Sequence, residues 1–206
     1  MIIKIHPDNP DVRKIKIVAE CLKEGGVIIY PTDTVYGIAC DMNNLKALEK
    51  VARIKGVKRE MANFSLICYN LSHLADFCRP METATFKIMK KALPGPFTFI
   101  LNANTNVPKI FKSKKRTIGI RVPDNNISRD IVKELGNPII STSLKENIGS
   151  EEYLTDPEKI HEKYKNLVDL VVDGGFGFNE ASTIIDCTNN KPEIIRQGIG
   201  IIEGYI

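Results

Sequence analysis

Apolar residues fall along this chain in short unbroken runs and in helical stripes, and the two kinds alternate. Val12, Ile15, Val18 and Leu22 recur at the spacing of one helix face, and Gly25 stops them. Asn9 and Pro10 offer a cap and a first-turn proline ahead of that stripe. Val27–Tyr30 is then apolar throughout and meets Pro31, which has no N–H for a ladder. Such a run between glycine and proline predicts a strand buried on both faces. After a polar loop, Asn43–Asn44 cap a second stripe, Leu45, Leu48, Val51 and Ala52, which closes at Lys55–Gly56. Met1–Ile5, Phe64–Cys68, Phe97–Leu101, Thr117–Val122, Pro138–Ile140 and Leu167–Val172 read as further strands. Leu74–Phe77, Ala84–Ala92, Ser128–Leu135 and a segment opened by Asp156-Pro157 read as helices. Ser182–Asp186 and Glu193–Arg196 close the chain as a strand pair. The pattern predicts a chain of mixed α/β class.

The polar residues that interrupt this pattern gather at strand ends. Thr32, Asp33 and Thr34 lie just past the Val27–Tyr30 strand, where open α/β sheets bind ligands. Two hydroxyls and a carboxylate there orient a small polar substrate; the same residues also suit a plain turn, because Thr and Asp bond their own backbone. Ser141-Thr142-Ser143 repeat the arrangement after Ile140. In Thr117–Val122, period two puts Thr117, Gly119 and Arg121 on one face and Ile118, Ile120 and Val122 on the other. The first face is either a ligand floor or ordinary solvated sheet.

Composition narrows the field. The net charge is +4, a surplus that permits a phosphate or nucleic-acid partner without requiring one. It is densest in Val107–Arg116, where Lys109, Lys112, Lys114, Lys115 and Arg116 form a candidate RNA or phosphate patch. The 5 cysteines form no CxxC and suit a reduced, cytoplasmic protein. The 3 histidines show no metal-ligand spacing. No GxxxxGK[ST] is present, so a nucleotide would need another cradle. No stretch reaches transmembrane length, and MIIKIHPDNP lacks the apolar run of a signal peptide.

YPTDTVYG, the lysine 21 residues after Thr34, PGPFTFIL, TIGIRVP, STS, STIID and IIRQG together resemble the YrdC/YciO family, in order and over nearly the whole chain. IHPDNP and NFSLIC look most like its YciO branch. The resemblance implies one domain over residues 1–206 with a twisted mixed parallel and antiparallel sheet, flanking helices and a large concave, positively charged groove. The carboxy-terminal domain of longer members has no room here. Active members are threonylcarbamoyl-adenylate synthases, which join L-threonine, bicarbonate and ATP, with Mg²⁺ on the phosphates, and release pyrophosphate in the t6A modification of tRNA. Carried over by motif, Thr34, Arg121 and Ser182 would hold the amino acid. Lys55, Thr117, Ser141, Ser143 and Arg196 would hold the nucleotide, and no protein nucleophile or metal ligand is implied.

Two motifs depart from the synthase pattern. K-x-R becomes Lys55-Gly56-Val57 and S-x-N becomes Ser143-Leu144-Lys145. The loop after Lys55 also has an extra residue and lacks the usual proline. The resemblance therefore leaves two functions open: a synthase-like nucleotidyltransferase, and a protein that binds double-stranded RNA or a nucleotide in the same groove without turnover.

Overall fold

A computed structural model describes residues 1–57, 64–108, 116–145, 152–189 and 191–202. Among them ten strands form one sheet and six helices flank it. The strands are β1 (Ile2–Lys4), β2 (Ile28–Tyr30), β3 (Gly37–Asp41), β4 (Ser65–Ile67), β5 (Phe97–Asn102), β6 (Thr117–Arg121), β7 (Ile139–Ser143), β8 (Leu170–Asp173), β9 (Thr183–Asp186) and β10 (Glu193–Arg196). The helices are α1 (Val12–Lys23), α2 (Leu45–Ile54), α3 (Leu71–Ala75), α4 (Thr83–Ala92), α5 (Asn126–Leu135) and α6 (Pro157–Tyr164). The sheet order is β1-β8-β2-β3-β7-β4-β6-β5-β9-β10. It is mixed, with β1/β8, β2/β8, β4/β6 and β5/β9 parallel and the other pairs antiparallel.

Local chemistry explains most element ends. Asn44 Oδ1 accepts from Ala47 N at 2.9 Å and Asp156 Oδ1 from Glu158 N at 2.9 Å, each capping its helix. Gly136 ends α5 at φ 86, a left-handed conformation that suits glycine. Several expectations change. The cap of α1 is Asp11, whose carboxylate accepts from Arg13 N at 2.8 Å, so Asn9 and Pro10 lie outside the helix. Asn125 caps α5, which therefore starts ahead of Ser128. Gly37–Asp41, expected in a loop, is a buried strand antiparallel to β2.

Two apolar layers cover the sheet unequally. On one side α2, α3, α4 and α6 bury Leu48, Val51, Leu74, Met89 and Ile160 against residues from most of the sheet, including Leu66, Phe99, Ile118 and Ile120. On the other side α1 and α5 bury Ile15, Val18, Ile131 and Val132 against Ile28, Ala39, Ile67, Ile139 and Leu170. That second layer takes no residue from β5, β6, β9 or β10. Among the described residues, half of one sheet face is thus left without a helix, and Ser65, Ile100, Thr117 and Gly119 in its middle are half-exposed.

Candidate functional site

The sheet register gathers the predicted polar residues on this uncovered face. Ser141 pairs with Ser65, Ser65 with Gly119, and Ser143 with Gly37, so Ser141, Ser143, Ser65 and the Thr117–Gly119–Arg121 row share one side. Antiparallel pairing of β5 with β6 adds Thr98 beside Arg121. Serine and glycine suit a floor: a Cβ at Gly119 would stand 2.9 Å from Ser65 Oγ and 3.3 Å from Thr98 Cγ2.

Arg121 is the centre. Its Nη2 donates to Asp33 Oδ1 at 2.7 Å and to Thr34 Oγ1 at 3.2 Å. Both side chains of this ion pair are 9% exposed. Asp33 Oδ2 also accepts from Asp124 N at 3.0 Å, which ties the loop before α5 to the pair. Arg121 Nε is buried without a hydrogen-bond partner. A buried guanidinium N–H left unmatched is costly, and an acceptor supplied from outside would satisfy it.

The Pro31–Tyr36 turn combines both readings made from its sequence. Thr32 Oγ1 accepts from Thr34 N at 3.0 Å and donates to Val35 O at 2.8 Å, as a turn residue does. Asp33 and Thr34 point instead to Arg121. The Gly174–Ala181 loop docks here, with Phe178 N donating to Thr34 O at 3.1 Å.

On the other flank, Arg196 Nη2 donates to Ser182 O at 2.6 Å, and Ser182 Oγ lies 2.9 Å from Thr98 Oγ1. Burial depresses the Arg196 pKa, Tyr153 opposes this, and the Arg121 charge adds to the depression. Thr34, Arg121, Ser182 and Arg196 therefore lie in one neighbourhood. Ser141 Oγ accepts from Tyr30 OH at 2.8 Å, and the phenol feels the charges of Arg121 and Asp33.

Burial raises the Tyr30 pKa to about 12 from an ordinary 10. A raised folded-state pKa adds stability that is complete below pH 10 and is lost as pH climbs through the folded value. Tyr30→Phe is expected to cost about 1 kcal/mol at pH 8, through the lost bond to Ser141. The gap to the parent protein should close just above pH 10 and reverse by pH 12, because the rise from 10 to about 12 is worth about 3 kcal/mol, more than the lost bond. Urea unfolding of both proteins across that window checks it; a gap independent of pH contradicts the buried phenol.

The other predicted residues fall less simply. Ser141-Thr142-Ser143 lie within β7, not beyond its end, so Thr142 faces away from the floor. Lys55 Nζ donates to that Thr142 hydroxyl and not to either serine. The Lys55 pKa is lowered by burial first and then by the cations Lys145 and Arg196. Thr117 stands four residues along β6 from Arg121, ~13 Å at strand spacing. It lines a polar cavity of about 270 Å³ with Asn102, Asp186, Thr188 and Asn189. Arg116 is exposed with φ 57, and Lys112, Lys114 and Lys115 lie outside the described residues. Sequence reasoning left out Tyr30, Ser65 and Thr98, although the alternation of FTFIL already placed Thr98 opposite the buried phenylalanines. Among the described residues no three His, Cys, Asp or Glu gather as a metal set. No helix among the described residues is long and apolar enough to cross a membrane.

Fold and site define an α/β protein whose polar groups gather on a stretch of sheet that α1 and α5 leave uncovered, around a buried arginine. The chain belongs to the Sua5/YciO/YrdC family, whose model, described as telomere recombination, matches residues 20–198. YciO of Escherichia coli is 38% identical over 203 residues, 98% of this chain and 97% of that one. Its crystal structure superposes with a TM-score of 0.93, covering 100% of this chain and 99% of the other. A putative threonylcarbamoyl-AMP synthase of Methanocaldococcus jannaschii is 34% identical over 201 residues, 96% of this chain and 93% of the relative. Sua5 of P. abyssi, solved with L-threonine, shares the fold at a TM-score of 0.87 and 23% identity, with 100% of this chain matching 62% of it.

Proposed function

We propose that this protein is a threonylcarbamoyl-adenylate synthase-like nucleotidyltransferase that acts on L-threonine, bicarbonate and ATP. The observation that carries the reading is Arg121 on the open floor, buried, with Nε unmatched and Thr34 at 3.2 Å from Nη2. A carboxylate is the ligand that a guanidinium fork with a spare donor accepts best. The M. jannaschii relative carries the synthase description, and P. abyssi Sua5 was solved with L-threonine.

In this reading Arg121 holds the threonine carboxylate, and Thr34 and Ser182 orient the rest of the amino acid. The threonine amine takes its carbon from bicarbonate with loss of water. The resulting carbamate oxygen attacks the α-phosphorus of ATP, and pyrophosphate leaves. Lys55, Ser141, Ser143 and Arg196 neutralise and orient the phosphates, and Thr117 contacts the nucleoside end. Mg²⁺ enters on the triphosphate as part of the substrate. Such a displacement needs positioning and charge neutralisation rather than a protein nucleophile. A cytoplasmic location belongs to the same proposal. Release of pyrophosphate from ATP, measured with and without threonine and bicarbonate, is the test. Release that needs both is expected; none above a heat-killed control rejects it.

Val57, at the place of the synthase arginine, favours a second reading: a protein that binds RNA or a nucleotide in the same site without turnover. Contacts of that kind would be mostly to phosphate, so affinity for double-stranded RNA should fall steeply with salt. Salt-insensitive or undetectable binding rejects it.

A further inference from the structure

Asp186 is a carboxylate on the open floor that the site around Arg121 does not use. It ends β9, where the pairing sets it opposite Ile100 of β5. Ile100 stands opposite Gly119 of β6, and Asn102 opposite Thr117. Paired positions share a face, and so do alternate residues of a strand. Asp186, Asn102 and Thr117 therefore lie on the side of the sheet that carries Gly119 and Arg121.

These three side chains line one cavity of about 270 Å³ with Thr188 and Asn189. The turn after β9 fixes the carboxylate. Asp186 Oδ1 accepts from Thr188 N at 2.8 Å, and Asn102 Nδ2 donates to Thr188 O at 3.2 Å. Among the described residues Asp186 Oδ2 has no protein donor, and the side chain is half-exposed. The lining chooses among ligands. Among the described residues it holds no lysine or arginine, and its one charge is negative, so it repels a phosphate. Carboxylate, amide and hydroxyl groups match instead a neutral ligand rich in O–H donors. A sugar diol is such a ligand, and a fixed acidic side chain is a known acceptor for a ribose hydroxyl in other nucleotide-binding folds.

Position agrees with that chemistry. Thr117 lies ~13 Å from Arg121 along β6. In a threonylcarbamoyl-adenylate roughly ten bonds separate the threonine carboxylate carbon from the ribose 3′ oxygen, about 12 Å for an extended chain. A carboxylate held on Arg121 thus sets the sugar at the Thr117 end of the floor.

We propose that Asp186 binds the ribose 2′,3′-diol of the nucleotide in this cavity and so selects ribonucleotides over deoxyribonucleotides. The proposal rests on the ATP-dependent reading above and deepens it. Asp186 determines specificity only, and no bond is made or broken there.

Titration calorimetry of the full chain with MgATP and with the magnesium complexes of 2′-deoxy-ATP and 3′-deoxy-ATP tests this, with Asp186→Ala and Asp186→Asn beside the parent. The parent is expected to bind ATP about 10- to 100-fold more tightly than either deoxy analogue, the range of one hydrogen bond to a charged group. Asp186→Ala should weaken ATP by nearly that whole factor while the analogues change less than about twofold, so that the preference disappears. Asp186→Asn keeps an oxygen for Thr188 N and a neutral acceptor for the sugar, so its preference should fall between the two. A structural role alone would weaken all three nucleotides alike. Equal losses, a preference that survives in both variants, or a parent without any preference overturns the assignment and leaves the synthase reading standing. A parent protein that does not bind ATP overturns both. A preference that Asp186→Ala removes, in a protein without threonine-dependent turnover, rejects the synthase reading and keeps this one.

Discussion

Replacing Arg121 with alanine is expected to abolish threonine binding and to lower the melting temperature by about 10 °C. Both effects have one origin. The guanidinium is buried, and its partner Asp33 is as little exposed as Arg121 itself, 9% for each side chain. Removing one member of a buried pair leaves the other charge unmatched, at a cost of about 3–5 kcal/mol. For a chain of this size each kcal/mol corresponds to about 2–4 °C. Asp124 N, 3.0 Å from Asp33 Oδ2, relieves only part of that charge. Under the proposed function threonine affinity should fall at least about 100-fold, because the charge-assisted fork assigned to its carboxylate is lost. The double variant Asp33→Asn with Arg121→Met separates the two effects. It removes both charges and keeps an acceptor for Asp124 N, so it should recover most of the stability and none of the binding. Calorimetric melting and threonine titration of the three proteins check this. Full threonine affinity in Arg121→Ala would remove the arginine from the site.

Gly198→Ala should carry the second large effect. A Cβ at this position would stand 2.1 Å from Ala181 O, 2.6 Å from Ser182 C and 2.7 Å from Ser182 O. All three are backbone atoms, so no side chain can yield, and the chain leaving β10 must move away from Ser182. Overpacking of this kind costs about 1–3 kcal/mol. The displaced atoms include the Ser182 carbonyl that Arg196 holds at 2.6 Å. Nucleotide affinity should therefore drop about tenfold along with the urea midpoint, by the loss of roughly one charge-assisted bond. Gly136→Ala is the control. Its φ of +86 strains a side chain, yet nothing lies within 4 Å of its Cβ. It should cost about 1 kcal/mol and leave binding unchanged. Equal behaviour of the two variants would contradict the close approach at Gly198.

Val27–Tyr30 was readable as a buried strand because every residue is apolar and glycine and proline bound it; in the structure β2 (Ile28–Tyr30) is fully buried. The Thr117–Gly119–Arg121 face was readable because period two leaves no choice about which residues share a side. Gly37–Asp41 was not, since its small and mixed residues carry neither alternation nor a β-branched run, and its pairing with β2 and β7 decides it. Lys55 was legible as a cation at the end of a helix, but not its reach to Thr142 on the far side of β7. Asp33 was legible as a carboxylate at a strand end, but not its pairing with an arginine 88 residues away.

From the order of its residues alone this protein was determined to be a mixed α/β chain with hydroxyls at strand ends and an arginine on a polar strand face. Those properties are local, set by side-chain period, caps and the backbone limits of glycine and proline. The tertiary structure alone decided which half of the sheet α1 and α5 leave uncovered, and so which of those polar groups meet. Sheet order and register join residues distant in sequence, and no local pattern carries that information.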